Sequence, residues 1–156
     1  MRRLRGWIGL LIVFAPGAGI PAVASEVRRP CEQAAHGVLI QVQGVRSSKG
    51  TLVAVLYGDV PSEFLRKGAR LARERVAARP GSVTICLEAP RPGVYAAAVY
   101  HDENANRRFD RSWTGLPQEG FGVSNNPRPF LRAPTHAESA FQVGSGHSIV
   151  KIDLRY

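Results

Sequence analysis

The chain has 156 residues, a formal net charge of +9, 44% hydrophobic residues and two cysteines. That length suits one domain with a single modest core. The charge comes with no recognised nucleic-acid motif and no set of stacking aromatics, so nucleic acid is not an expected partner.

Arg2, Arg3 and Arg5 form a basic start, 7–15 is a short apolar stretch, and Ala22-Val23-Ala24 supplies small residues at a cleavage site. This pattern predicts a signal peptide over 1–24, with Ser25 as the first residue of an exported protein, periplasmic or secreted. The apolar stretch is too short to span a bilayer, and no later run is long enough for a transmembrane helix. No cysteine follows closely enough for lipid attachment. With the three leader arginines removed, the mature chain is near +6. Its arginines are scattered from Arg28 to Arg155 and would attract an anionic polymer or another envelope component. A plain solvated surface is the favoured explanation, because net charge speaks to solubility and non-specific binding rather than to a task.

An arm, 25–35, precedes the domain proper, 36–156. The arm carries Cys31, and Cys86 lies inside the domain. An even cysteine count in an exported protein predicts a Cys31–Cys86 disulfide that ties the arm to the sheet. Val38, Ile40 and Val42 alternate with Leu39, Gln41 and Gln43, which reads as a strand. Ser47-Ser48-Lys49-Gly50 turns the chain. The next strand, 52–57, is apolar on both faces and therefore central. Gly58 to Pro61 breaks it, and 62–65 is expected to form a helical turn capped by Ser62.

The stretch 71–79 has the composition of a helix. It also ends in Arg79-Pro80-Gly81-Ser82, a turn before the clear strand 83–87, so a hairpin with Ala72, Glu74, Val76 and Ala78 on one face fits as well. Pro90-Arg91-Pro92-Gly93 turns into a strand over 94–100, whose alanines suggest close packing over it. After a long irregular stretch come strands over 140–143 and 149–154. In the last, Val150, Ile152 and Leu154 face inward. About seven short strands at this spacing predict a single all-β domain, an antiparallel β-sandwich of Ig-like or transthyretin-like form.

The polar chemistry concentrates in 101–126. Asp102, Asn104, Asn106 and Asp110 stand at positions 1, 3, 5 and 9 of a loop, and Arg108 offers a carbonyl between them. Oxygen donors on alternate residues are how a short loop wraps calcium. Two residues oppose it. Arg107 stands where such loops want glycine, and Trp113 stands where they carry a bidentate glutamate. The expected cofactor is therefore none or weak Ca²⁺, no tighter than about 10⁻⁴ M. The other reading is a loop fixed by Asp and Asn side chains bonding their own backbone.

Four histidines follow the leader, His36, His101, His136 and His147, and no pair has helical ligand spacing. Ser124 lies in Gly-Phe-Gly-Val-Ser-Asn-Asn, which is not a nucleophile elbow because Asn126 replaces the second glycine. A hydrolase using His101, Asp102 and Ser124 can still be drawn. No residue is assigned a catalytic role. Trp113, Phe121 and Phe130 are expected to anchor the loop, with a sugar-binding face as the alternative.

The pattern Gly93-x-Tyr95-Ala96, His101-Asp102-Glu103-Asn104, Asp110, Gly115-x-Pro117-x-Glu119-Gly120-Phe121-Gly122 and Ser124-Asn125-Asn126 resembles a family of secreted bacterial domains of unknown function, number 2141. The resemblance runs from about His36 to the end. It implies a small β-sandwich outside the cytoplasm and favours a strand over 71–79, but implies no activity. The family pattern usually reads Asn-Gly-Lys where this chain has Asn106-Arg107-Arg108. The expected function is an exported envelope module, non-catalytic, binding or structural, with a calcium-stabilised adhesion or scaffold module as an alternative to the hydrolase. Its functional surface is expected to be the loop containing His101, Asp102, Glu103, Asn104, Asn106, Asp110, Glu119, Ser124, Asn125 and Asn126.

Overall fold

The structure, a computed structural model, describes residues 31–128 and 132–156. The expected signal peptide, the first part of the arm and Phe130 lie outside the described residues. Among the described residues there are eight strands: β1 (His36–Val45), β2 (Thr51–Tyr57), β3 (Arg70–Ala77), β4 (Gly81–Glu88), β5 (Gly93–Asp102), β6 (Gly120–Val123), β7 (Ala140–Val143) and β8 (Gly146–Asp153). They make two sheets. One has the order β4-β1-β8; the other runs β3-β2-β5, with β6 and β7 both on the far edge of β5. The expected all-β sandwich is what forms.

The inner faces meet in one core that includes Val38, Ile40, Leu52, Leu56, Ile85, Val99 and Ile152. A second cluster covers the outer face of the larger sheet: Val53, Val55, Tyr57, Phe64, Ala96, Ala98 and Val123. Strand β2 contributes to both, which is why its sequence is apolar on both faces from Leu52 to Tyr57. The alanines of β5 split the same way, Ala97 inward and Ala96 and Ala98 outward.

Residues 71–79 lie mostly in strand β3, the reading that the family resemblance favoured, because pairing with β2 and the seating of Ala72 and Val76 on the core outweigh helix propensity. Other local expectations change. The turn after β3 does not close a hairpin; it carries the chain into the other sheet, since β3 and β4 belong to different sheets. The sandwich is not wholly antiparallel: β8 lies parallel to β1, from His36↔Gly146 to Gln43↔Asp153. Only strands joined by a tight hairpin must run antiparallel, and β8 arrives from the opposite sheet. The turn near Ser62 is a 3-10 helix, Pro61–Glu63, with Val60 at its N-cap and no side-chain cap. Two elements sit where only loop was expected. One is β6, inside the polar segment. The other is a short helix, His136–Ser139, begun by a capping box between Thr135 and Glu138.

The Cys31–Cys86 disulfide forms as expected and closes a separation of 55 residues. It holds fully buried Cys31 against the sheet, beside the strand pair Leu39↔Cys86. At the other end, Phe121 and Arg155 exchange two backbone hydrogen bonds, so β6 reaches the chain just beyond β8. The approach is close enough that a Cβ on Gly122 would lie 2.5 Å from the Asp153 carbonyl oxygen, so only glycine fits there.

Candidate functional site

The end of β5 divides two neighbouring polar residues. Register places His101 on the inner face with Val99 and Ala97, and Asp102 on the outer face; both are fully buried. His101 Nε2 lies 2.7 Å from the Lys49 carbonyl, which can only accept, so Nε2 carries the proton. Nδ1 lies 2.7 Å from the Tyr156 hydroxyl, whose oxygen accepts from the Arg46 amide. Both ring nitrogens thus hold the turn before β2 and the end of the chain together. Gly50 completes this junction: it has φ +64, and a Cβ there would fall 1.9 Å from the Asp102 carbonyl oxygen.

Asp102 turns into the acidic loop. Its Oδ2 accepts from Arg75 Nη1 and from the Arg107 amide, each at 2.9 Å. Its Oδ1 and Arg75 Nη2 are buried without partners. Glu103 leaves the loop for Arg46 and the Ser47 hydroxyl. The Arg46 hydrogen bond holds its carboxyl at about 2.

Asn104 Oδ1 accepts from the Asn106 amide, and Asn106 Oδ1 from the Arg108 amide. Both side-chain amides donate to Asp110 Oδ2, each at 2.7 Å. Arg107 adopts φ 65, the left-handed conformation that a glycine would take at this position, and keeps its side chain in solvent.

The chain then leaves and returns. Gln118 N donates to the Asp110 carbonyl, and Arg111 bridges Pro117. This excursion brings Glu119 opposite Asp110, whose amide donates to Glu119 Oε2 at 3.2 Å. Glu119 is 6% exposed and its Oε1 has no partner. Burial pushes its carboxyl up from the ordinary value, the Asp110 amide pulls it back, and the charges of Asp102, Asp110 and Glu103 push it up again. Among the described residues, no three His, Cys, Asp or Glu side chains stand together as a ready metal centre.

Ser124, Asn125 and Asn126 form a splice. Strand β6 pairs with β5 at Ala98–His101, and β7 pairs with it at Gly93–Ala96. Ala97 falls in the gap. Ser124 serves it from both sides: its amide donates to the Ala97 carbonyl at 2.9 Å, and its Oγ accepts from the Ala97 amide at 3.0 Å. The hydroxyl proton goes to the Ser139 carbonyl. Asn125 Nδ2 donates to the Ala140 carbonyl at 2.8 Å. Asn126 Oδ1 accepts from the Asp153 amide, and its Nδ2 donates to the Lys151 carbonyl in the other sheet. Both asparagines have positive φ, which their type tolerates.

His101 and Ser124 therefore make their hydrogen bonds with different partners, and both are fully buried. Two shallow grooves of about 300 and 350 Å³ flank Asn125–Asn126 and the β3–β4 side, and neither is lined by His101, Asp102 or Ser124. Trp113 is 97% exposed and does not anchor the loop, since the excursion that carries it projects from the sheet. The anchor is Phe109, whose ring sits 5.4 Å from both Tyr100 and Phe121. Its aromatic character inside a polar run was the signal for that role. Tyr156, Arg46 and Arg75 had no local signal, because each reaches the site from a distant part of the chain.

The described residues form a β-sandwich of eight strands with a polar motif loop at one end of its larger sheet. A family model described as an uncharacterized protein conserved in bacteria, DUF2141, matches residues 40–151, and the chain belongs to that family. No curated protein and no solved structure matches the chain.

Proposed function

We propose that the protein is an exported, non-catalytic β-sandwich module of the cell envelope, whose motif segment builds a rigid loop for binding or support. The observation that carries this reading is where the motif's polar groups go. His101, Ser124, Asn125 and Asn126 are engaged with backbone groups that join strands and sheets. A nucleophile needs access and a base within reach, and Ser124 has neither arrangement. The basic leader and Ala22-Val23-Ala24 support export.

Cell fractionation tests the reading: the protein is expected outside the cytoplasm, and full-length chain confined to the cytoplasm would overturn it. Turnover of ester, amide or glycoside substrates, lost in a folded Ser124→Ala variant, would favour the hydrolase instead. A second reading, a calcium-stabilised adhesion or scaffold module, is favoured by two buried carboxylate oxygens without donors, on Asp102 and Glu119.

A further inference from the structure

We infer that the motif loop is a divalent-cation site of the calcium type, completed by Glu119 from outside the loop. This inference rests on the second reading above, and its failure would leave the exported, non-catalytic module untouched.

A run of Asp and Asn is not a site by itself, because such residues also fix turns. Here a separate group points into the run. Glu119 is nine-tenths buried, one of its oxygens is fixed by the Asp110 amide, and the other has no partner. Asp102 Oδ1 is also buried without a hydrogen-bond partner, while the other oxygen of that carboxylate is paired with Arg75. Two buried carboxylate oxygens without donors are costly unless a cation takes them.

The remaining ligands follow from the loop. Asn104 and Asn106 each use one lone pair of Oδ1 for an amide, which leaves the second for an ion. Their two amide nitrogens crowd Asp110 Oδ2, where a cation would sit against that carboxylate. Binding exchanges those two hydrogen bonds for contacts to the ion. Asp102, Asn104, Asn106, the Arg108 carbonyl, Asp110 and Glu119 would then supply six oxygens, the lower end of calcium's coordination number, once the ion draws in three carboxylates that do not already stand together as a metal centre.

Both sequence objections are answered by the fold. Arg107 already adopts the glycine-like backbone, and Glu119 supplies the carboxylate that Trp113 does not. Arg75 on Asp102, and the neighbouring arginines, oppose the ion and keep affinity in the extracellular range, about 10⁻⁴–10⁻³ M.

The test uses the purified mature protein, stripped with chelator and held at constant ionic strength. Calcium titrated to about 10 mM should raise Tm by about 5–10 °C, and magnesium by less than half as much. Terbium, excited through Trp113, should report the same site and be displaced by calcium. Glu119→Gln keeps an acceptor for the Asp110 amide and removes the unpaired charge. It should fold with an unchanged or higher Tm when stripped, and lose at least tenfold in calcium affinity. Asp110→Asn serves as a second variant with the same expected loss. A wild-type protein with neither a calcium-dependent Tm shift nor terbium luminescence would overturn the site. So would a calcium response unchanged in both variants.

Discussion

Ser124 is fully buried beside Ala97, the position of β5 between the stretches that β6 and β7 pair, and its hydroxyl replaces a missing strand residue. Ser124→Ala keeps the backbone bond to Ala97 but leaves the Ala97 amide and the Ser139 carbonyl without that partner. Buried groups left unpaired cost about 1–3 kcal/mol each, with some relief from relaxation. The variant should lose about 2 kcal/mol in denaturant unfolding, with m unchanged. A loss below about 0.5 kcal/mol would mean that the splice does not depend on the hydroxyl. His101 makes the same point about reading residue types. A buried histidine beside an aspartate invites a catalytic interpretation, yet its two nitrogens lie between Lys49 and Tyr156, on the opposite face of the strand from Asp102.

Among the elements, the arm is the one tied covalently. The Cys31–Cys86 bond closes a loop of 55 residues, and chain entropy alone gives such a bond about 4 kcal/mol. Cys86→Ser should lower stability by about 2–4 kcal/mol. Peptide mapping without reductant should join the two cysteine peptides, and free thiols at both positions would count against the bond.

The short helix His136–Ser139 depends on Glu138, which accepts from Arg132 and from the Thr135 amide and hydroxyl. The Arg132 hydrogen bond, then those from Thr135, hold its carboxyl at about 2 against an ordinary value of 4.5. A lowered carboxylate pKa contributes stability that is complete above the ordinary value and is lost as pH falls through the folded one. The Thr135 amide signal should therefore hold to about pH 4.5 and shift as acid approaches pH 2, in NMR titration. A midpoint near 4.5 would show that the box does not form. The group is exposed, so the effect on global stability should be small and weakened by salt.

At the scale of the whole molecule, the proposed export and the disulfide are consistent with each other, because such bonds persist in an oxidising compartment. Intact mass of the native protein should place Ser25 at the N-terminus; a protein retaining Met1 would contradict the leader. The strands β1, β2, β4, β5 and β8 were legible from alternation and turn residues, since a half-buried strand needs apolar residues at every second position. The cysteine count carried the disulfide, and motif spacing marked the acidic loop. Sequence could not say that β8 runs parallel to β1 or that β3 and β4 part into different sheets, because pairing partners are chosen across the core rather than along the chain. It missed β6, four residues whose strand conformation comes from the edge of β5 rather than from their own propensity. It placed Trp113 as an anchor, while Phe109 does that work because it lies over the sheet. By itself the sequence determined the sandwich, the leader expectation and the residues of the loop. Only the tertiary structure decided what those residues face. A one-residue step on β5 sends His101 inward and Asp102 outward, and a chain excursion returns Glu119 to a loop it had left.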